Sequence, residues 1–389
     1  MKKSVLVLLV LAIVVSLFIS GCSNSNVSEH ETSNESASIT FTDIVGREVH
    51  MESLPQKFVV ANYIANFLMV GGAESLDKVV GMTFDGWEDT RYGEYKVFTD
   101  AFPRMLGGKD GIVSIGGYHD DVLNTELILS LSPDVILMSN SQFIENNQHI
   151  LTFEQAGIDV VVLDYHAQKL ENHTKSTEIL GKLLGREEVA QEQIDAYVNA
   201  INDVKERIAS LPDEKKHKKV YVELGNKGVG EYGNSYNNNM LWGAIVNNIG
   251  ADNLGAGLDA GYGVLDKEFV ITSNPDVIFI GGAIWSGDIN SDQMRMGFTI
   301  DESIAQERLR GFANRPDWQD LNAVKNGEVY GVDHGSLRNM IDYTFTQYMA
   351  KVLYPDLFKD IDPEKTINEY YAKYLPELKY TGTFMTKLK

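Results

Sequence analysis

Two segments of this sequence, one in each half, share the pattern of a short helix, a Pro-Asp turn and a buried strand. They span residues 125–137 and 266–279, and a glutamate, Glu126 or Glu268, stands at the start of each helix. Continuous apolar strands that follow helices are typical of parallel sheets covered on both faces. The chain is therefore predicted to be α/β with the same architecture in both halves, although two unrelated units would give the same local pattern.

Apolar and alternating runs predict further strands along the chain. The runs at 39–43 and 45–49 alternate around Gly46 as the two arms of a hairpin do, and a helix is predicted at 64–71. The other predicted strands are 58–61, 79–82, 134–138, 159–163, 220–224, 276–280 and 329–332.

Residues 170–211, between the two halves, carry apolar side chains at helical spacing and contain no proline before Pro212. This pattern predicts one or two long helices, with Gly185 as the break between them.

The N-terminus has the features of an export signal. Lys2 and Lys3 precede an apolar run at 5–19, and small residues lead to Cys22, the only cysteine of the chain. This order is typical of a secretory signal peptide, and the spacing resembles a bacterial lipobox, in which the cysteine is acylated and becomes the new N-terminus. We expect a lipoprotein signal peptide at 1–21 and an extracytoplasmic protein anchored to the membrane by lipid on Cys22. The alternatives are an ordinary secreted protein and a transmembrane anchor, for which the run falls short of the ~20 residues that a bilayer requires.

Residues 22–38 consist mostly of Ser, Asn, Glu and Thr, with almost no large apolar side chain. Such a segment cannot bury enough surface to offset its loss of conformational entropy. We expect a disordered tether that holds the folded body near the membrane.

Charge and composition exclude several classes of protein. The formal net charge of -21 opposes binding to phosphate backbones, so we expect no nucleic-acid partner. With Cys22 as the sole cysteine, the body has no disulfide, no Cys-ligated zinc and no thiol nucleophile. About 350 residues follow the tether, which is more than one hydrophobic core usually serves, so two domains are expected.

Three features occur in the same order as in a known family. They are the opening segment 41–49, with the sequence Phe-Thr-Asp-Ile-Val-Gly-Arg-Glu-Val, the two Pro-Asp strand units, and the segment 317–330 around Trp318. From about residue 39 to 376 the chain resembles the bacterial extracytoplasmic solute-binding proteins of ABC importers for iron-siderophore complexes, haem and vitamin B12. Trp318 belongs to a packing motif of that family, and we assign it to the core.

The resemblance implies two α/β lobes joined by a single long backbone helix, with the ligand in the cleft between the lobes. It places the N-terminal lobe at 39–168, the backbone helix at 169–212 and the C-terminal lobe, with its terminal helices, at 213–389. Physical reasoning also places the ligand there, at the strand ends of two facing sheets.

The resemblance further implies a role for the paired glutamates. In that family one exposed glutamate on each lobe docks on arginines of the membrane permease, and Glu126 and Glu268 occupy the matching helix starts. The expected partners are therefore an ABC permease with its ATPase, the membrane through the lipid anchor, and a small metal chelate. We expect the protein itself to be a monomer.

Loops that follow the predicted strands supply the candidate cleft lining. Aromatic rings suit a bulky ligand with a planar or catecholate face, and arginines could clamp an anionic ferric chelate that an acidic protein would otherwise repel. The candidate ligand-binding residues are Tyr63, Trp87, Arg91, Tyr118, Tyr236, Trp242, Tyr262, Trp285, Arg295 and Arg338.

Among the histidines, His119 and His334 are candidate iron ligands, with tyrosines completing a set of hard oxygen and nitrogen donors. No intrinsic cofactor is expected. The first ligand hypothesis is a ferric siderophore or another iron(III) complex. The alternatives are cobalamin or another corrinoid, haem, and an oxyanion such as molybdate.

An enzyme is not expected, because the sequence has no Gly-x-Ser-x-Gly elbow, no His-Glu-x-x-His and no phosphate loop. An extracellular hydrolase remains a distant alternative, and a surface adhesin or sensor would share the motifs above. One individual feature is a long loop predicted at 85–117, whose size near the cleft could reshape specificity. A second is the Met-Arg-Met sequence at 294–296.

Overall fold

Ten of the sixteen strands in the described part of the chain form two five-stranded sheets, one from each half, and the other six pair in three two-stranded sheets. The computed structural model describes residues 38–84, 87–107, 111–117, 120–286 and 290–389, all of which belong to one compact unit. The strands are β1 (Ile39–Thr42), β2 (Glu48–Met51), β3 (Phe58–Val60), β4 (Val79–Met82), β5 (Val113–Ser114), β6 (Val135–Ser139), β7 (Asp159–Leu163), β8 (Lys219–Leu224), β9 (Asn234–Tyr236), β10 (Asp252–Asn253), β11 (Tyr262–Val264), β12 (Val277–Gly282), β13 (Gly297–Phe298), β14 (Val329–Asp333), β15 (Gly382–Thr383) and β16 (Met385–Lys387).

Helices connect most of these strands. They are α1 (Ile64–Gly71), α2 (Trp87–Thr90), α3 (Tyr92–Ala101), α4 (Thr125–Leu131), α5 (Asn140–Glu145), α6 (Asn147–Gln155), α7 (Leu170–Leu184), α8 (Glu187–Ala209), α9 (Leu241–Asn248), α10 (Lys267–Ser273), α11 (Glu302–Ala313), α12 (Asn322–Lys325), α13 (Tyr343–Leu353) and α14 (Pro363–Tyr374).

Lobe 1 is built on a parallel sheet with the strand order β5-β4-β3-β6-β7. Every residue of β3 and β6 is buried, which explains why their sequences are continuous apolar runs instead of alternating ones. The predicted hairpin before this sheet is confirmed, since β1 and β2 pair antiparallel.

Lobe 2 repeats this arrangement with the strand order β10-β8-β12-β14-β16. The first four strands are parallel, and β16 adds an antiparallel edge. The predicted α/β architecture of two lobes is therefore confirmed.

The predicted helical segment between the lobes contains two helices. Gly185 has φ +63° and caps α7 in a left-handed conformation, so the chain turns there before α8 begins. The long helix α8 touches both lobes through Gln193, whose side chain donates to the Met69 carbonyl and accepts from the Tyr370 hydroxyl. The single backbone helix that the resemblance implied is thus accompanied by a second helix, α7, which packs on α1.

The prediction of a long loop at 85–117 is wrong for most of its described part, which folds into α2, α3 and β5. Tertiary contacts explain the difference. No side chain caps α3, but Phe98 and the following Phe102 are buried in the core, and this packing stabilises a helix that the local sequence does not indicate.

Several predictions lie outside the described residues. These are the signal peptide at 1–21, lipidation of Cys22, all of the tether but Ser38, and the candidate site residues Tyr118 and His119. In the part of the chain that is described, no helix has both the length and the apolar character needed to cross a membrane.

Candidate functional site

A cavity of about 730 Å³ lies between the two sheets, where the carboxyl ends of their strands meet. Side chains after β3, β4, β6 and β7 line it from lobe 1, and side chains after β8, β12 and β14 line it from lobe 2. This is the position that the open-sheet rule predicts for a ligand.

The structure brings seven of the ten predicted ligand-binding residues to this cavity. Lobe 2 contributes three of the aromatic rings, lobe 1 contributes two, and each lobe contributes one arginine. The seven are Tyr63, Trp87, Arg91, Tyr236, Tyr262, Trp285 and Arg338.

Tyr63 stands at the start of α1 with φ +63°, a left-handed conformation that costs a non-glycine residue free energy. Its ring packs edge-on against Tyr165, and its hydroxyl lies 2.7 Å from Nδ1 of His166. The strained backbone is therefore held in place by the contacts with Tyr165 and His166, as is common where a site needs one fixed side chain.

Arg338 also has a left-handed backbone, with φ +71°. Its N–H donates to Asp342 Oδ2 at 3.2 Å, and its carbonyl accepts from Nδ2 of Asn66 in lobe 1 at 2.9 Å. The guanidinium donates to the His334 carbonyl at 3.2 Å. Both lobes thus fix the arginine that faces the cavity from lobe 2.

Arg91 faces the cavity from the other lobe. Its Nη1 lies 3.5 Å from Glu94 Oε2, and its guanidinium lies over the Trp285 ring, 5.8 Å from the ring centroid. Because Trp285 belongs to lobe 2, this cation–π contact crosses the cleft.

Two arginines, Arg91 and Arg338, and two acids, Glu94 and Asp121, line the cavity. Burial, with a contribution from the charges of Arg338 and Arg91, lowers the pKa of His166 to about 3 against the opposing effect of Asp164. Burial raises the pKa of Tyr236 to about 12, although both arginines oppose the rise. At neutral pH the imidazole and the phenol are therefore uncharged, and the guanidinium groups supply the positive charge at this site, beside the carboxyl groups of Glu94 and Asp121.

Tyr236 was expected in a loop and instead forms the end of β9, which pairs with β11. Its ring stacks on His334, with centroids 6.0 Å apart and planes inclined by 22°. This stacking and the pairing with β11 give the Tyr236 ring a fixed position in the cavity wall.

The predicted role of Trp242 in ligand binding is contradicted, because its indole is fully buried and does not line the cavity. All residues from Leu241 to Val246 are buried, so this part of α9 belongs to the core. The indole Nε1 donates to His334 Nδ1 at 3.0 Å.

His334 is likewise badly placed to bind a metal. Since indole is only a donor, Nδ1 of His334 must be the unprotonated nitrogen, and Nε2 then carries the proton 3.4 Å from an Arg338 nitrogen. Burial lowers the pKa of His334 well below its usual value, and the charge of Arg338 adds to the effect. Neither nitrogen is available as a ligand in this arrangement.

Arg295 also lies outside the cavity. Its guanidinium is buried and donates to the Trp285 carbonyl at 3.1 Å, while Trp285 Nε1 donates to the Met294 carbonyl at 2.7 Å. The unusual sequence at 294–296 therefore supports the loop that carries Trp285, and Arg295 positions this loop instead of contacting a ligand.

His166 and Asn66 also line the cavity, although neither was predicted from the sequence. His166 follows β7 by three residues, so the strand-end rule used for the other loops would have found it. Asn66 lies inside α1, and no sequence signal marks it, because its role comes from hydrogen bonds across the cleft to the Arg338 carbonyl and the Met340 N–H.

No group of three or more His, Cys, Asp or Glu side chains suited to a metal ion occurs among the described residues. Trp318 is fully buried, as predicted for a core residue, and its indole donates to the Tyr232 hydroxyl.

Glu126 and Glu268 lie in equivalent places on the two lobes. Each is exposed in the first turn of a seven-residue helix, α4 or α10. In both helices an N-cap side chain accepts a backbone N–H, from Asn124 in one and Asp266 in the other. The repeated unit predicted from the sequence is therefore present, with its two carboxylates outside the cavity.

Comparison with known proteins identifies the family. A family model described as periplasmic binding protein matches residues 97–334. The solved structure of the TroA-like periplasmic binding protein FepB from Veillonella parvula is 33% identical and has a TM-score of 0.82, covering 90% of this chain and 100% of that one.

Two curated proteins are also similar. The uncharacterized ABC transporter substrate-binding lipoprotein YvrC of Bacillus subtilis is 23% identical over 355 residues, which are 90% of this chain and 96% of YvrC. The molybdate-binding protein MolA of Haemophilus influenzae is 23% identical over 274 residues, which are 65% of this chain and 70% of MolA. With the family model covering more than half of its length, the chain belongs to the periplasmic binding proteins and is the substrate-binding component of an ABC importer.

Proposed function

We propose that this protein captures a bulky anionic iron(III) complex of the siderophore type in the cleft between its lobes and delivers it to the permease. The observation that carries this proposal is the pair of arginines, Arg91 and Arg338, which face one cavity from opposite lobes. In a chain with a net charge of -21, two guanidinium groups in the cleft would offer an anion favourable contacts that most of the surface does not. Charge-assisted hydrogen bonds from both lobes would then favour an anionic ligand that spans the cleft.

The size and walls of the cavity support a large ligand. Cavities of ~300–1,000 Å³ hold ligands of drug size, so a five-atom oxyanion would fill only a small part of the 730 Å³ here. The rings of Trp87, Trp285 and Tyr236 offer apolar faces for catecholate or other planar groups. We propose that iron is held by the chelator, with no protein side chain required as a ligand.

Delivery would depend on two features outside the cavity. We propose that Glu126 and Glu268 dock on arginines of the permease, one from each lobe, and that acylated Cys22 and the tether at 22–38 keep the protein at the outer face of the membrane. The exposed Phe269 beside Glu268 and the exposed Val122 near Glu126 would add apolar contact to this docking surface.

Titration with a panel of ligands tests the proposed function. Of the four tryptophans, Trp87 and Trp285 line the cavity, whereas Trp242 and Trp318 are buried outside it. We expect saturable quenching of intrinsic fluorescence by a ferric tris-catecholate or trihydroxamate at micromolar or lower concentration, and loss of most of that quenching in the Trp285→Phe variant. Quenching by cobalamin, haemin or molybdate alone would replace the iron hypothesis, and no response to any of the four classes would contradict it.

The charge of the ligand gives a sharper prediction. We expect Arg338→Gln to weaken binding of an anionic ferric siderophore by about tenfold or more, because a hydrogen bond to a charged group contributes ~1.5–3 kcal/mol. Binding of an electrically neutral ferric chelate should change much less. Arg310→Gln is the matched control, since Arg310 is exposed in α11 and does not line the cavity. Equal losses for anionic and neutral chelates in isothermal titration would show that Arg338 acts through the fold instead of through its charge.

A further inference from the structure

Helices α2 and α3 reach across the cleft and bind the opposite lobe. Ser286, which follows β12 in lobe 2, makes three hydrogen bonds with them: its N–H donates to the Thr90 carbonyl at 2.9 Å, its hydroxyl donates to the Glu88 carbonyl at 2.9 Å, and its Oγ accepts the Tyr92 N–H at 2.7 Å. These helices lie within the segment at 85–117 that the sequence marked as individual to this chain.

The packing beside these hydrogen bonds is equally close. Gly93 fits against Ile284 of lobe 2 so tightly that a Cβ on Gly93 would lie 1.8 Å from Ile284 Cγ2. The glycine is therefore required by the contact with the other lobe, since glycine by itself weakens a helix.

A small cavity of about 30 Å³ lies along the same contact. Glu94 and Phe98 of α3 line it from one side, and Asp333, at the end of β14, lines it from the other. The carboxylates of Glu94 and Asp333 come within 3.4 Å and 3.3 Å of the point where a Cβ on Gly335 would stand. Two acids from opposite lobes therefore face one site that is large enough for a water molecule.

Asp333 is buried, and burial together with the charge of Glu94 raises its pKa to about 7, although hydrogen bonds from Ser336 and the charge of Arg91 oppose this rise. The other titratable groups at this contact are Tyr371 and Tyr380, and burial raises the pKa of both well above the usual range, so they stay neutral. Neighbouring His334 is neutral because burial lowers its pKa.

We propose that α2 and α3 are a clasp between the lobes that closes more firmly when Asp333 is protonated, and that closing this clasp positions Arg91 over Trp285 at the ligand cavity. Glu94 and Asp333 are positioning residues in this scheme. The clasp belongs to the protein alone and does not depend on which ligand the cleft binds.

The direction of the pH effect depends on which state of the clasp, open or closed, exposes Asp333 to water. When the clasp opens, water reaches the carboxyl group and its pKa returns toward the usual value of ~4. Protonation therefore favours the closed clasp, and this contribution is lost as pH rises through 7. Between pH 6 and pH 8 the closing equilibrium should weaken by about tenfold, since each pH unit between the two pKa values changes it tenfold.

Amide hydrogen exchange of the full-length protein in detergent micelles measures clasp opening without a ligand. After correction for intrinsic exchange rates, we expect peptides within 87–101 to be about tenfold more protected at pH 6 than at pH 8. Asp333→Asn should abolish this dependence, because the amide cannot ionise. Asp320→Asn, at an exposed site, should leave it unchanged. Equal protection of the wild-type protein at both pH values, or a tenfold difference that persists in Asp333→Asn, would overturn the proposal.

A second variant keeps the test decisive if Asp333→Asn does not fold. Ser286→Ala removes two of the three hydrogen bonds to the clasp from the opposite lobe, and we expect it to lower the protection of 87–101 by about tenfold at both pH values. If α2 and α3 were held by lobe 1 alone, Ser286→Ala would leave their exchange unchanged.

Discussion

Reversing the charge of both docking glutamates, Glu126→Arg with Glu268→Arg, should abolish uptake while ligand affinity stays within about twofold of wild type. Arginine at these positions would face the arginines proposed on the permease, and like charges juxtaposed at an interface cost several kcal/mol. Affinity should survive because both residues are exposed and lie outside the cavity. The measurements are uptake of radiolabelled iron complex by cells and titration of the purified variant.

The matched control reverses two other exposed carboxylates, Glu52 in the N-terminal hairpin and Glu377 near the C-terminus. Glu52→Arg with Glu377→Arg makes the same change in net charge and should leave uptake close to wild type. Comparable loss in the control would attribute the effect to net charge, and loss of affinity in the first variant would place the glutamates in ligand binding.

Arg315→Ala should cost about 3–5 kcal/mol of unfolding free energy, because it leaves the carboxylate of Glu223 buried without its partner. The guanidinium makes two hydrogen bonds to Glu223, at 2.7 and 2.9 Å, and both side chains are buried. It also donates to the carbonyls of Gly228, Val229 and Glu231, so it fixes the loop between β8 and β9 that leads into the cleft wall. Urea denaturation followed by circular dichroism measures the loss.

Arg207→Ala is the control, because it removes an ion pair that has similar geometry but is not buried. Arg207 makes the same two-fold contact with Asp360, at 2.7 and 2.9 Å, but on the surface, where such pairs contribute little. We therefore expect a much smaller loss. The double variant Glu223→Gln with Arg315→Met should recover part of the stability, since it leaves no buried charge. Similar losses for Arg315→Ala and Arg207→Ala would contradict the assigned role of burial.

Sequence patterns correctly predicted most of the helices and strands that depend on local signals. The helix predicted at 64–71 and the strands predicted at 79–82 and 159–163 have the bounds that the structure shows for α1, β4 and β7. Hydrophobic patterning is sufficient there because most residues of these elements are buried. The segment at 87–106 was not located, because α3 carries no cap and depends on packing against lobe 2.

The site was predicted less completely than the fold. The strand-end rule found Tyr63, Trp285 and Arg338, which follow β3, β12 and β14, and it would have found His166 had it been applied to β7. It failed for Trp242, because proximity to a loop does not say which way a side chain points. The Trp242 indole is instead buried in the core, on helix α9.

The sequence by itself determined that this chain forms two α/β lobes, belongs to a family of importer binding proteins and presents one glutamate at equivalent helix starts of both lobes. Each of these features follows from patterns within a few residues of one another, such as apolar runs, turns and helix caps. Only the tertiary structure decided which side chains reach the cleft, that Arg91 and Arg338 meet there, and that Glu94 faces Asp333. Those contacts join residues about 240 positions apart, and their geometry depends on how two complete lobes pack.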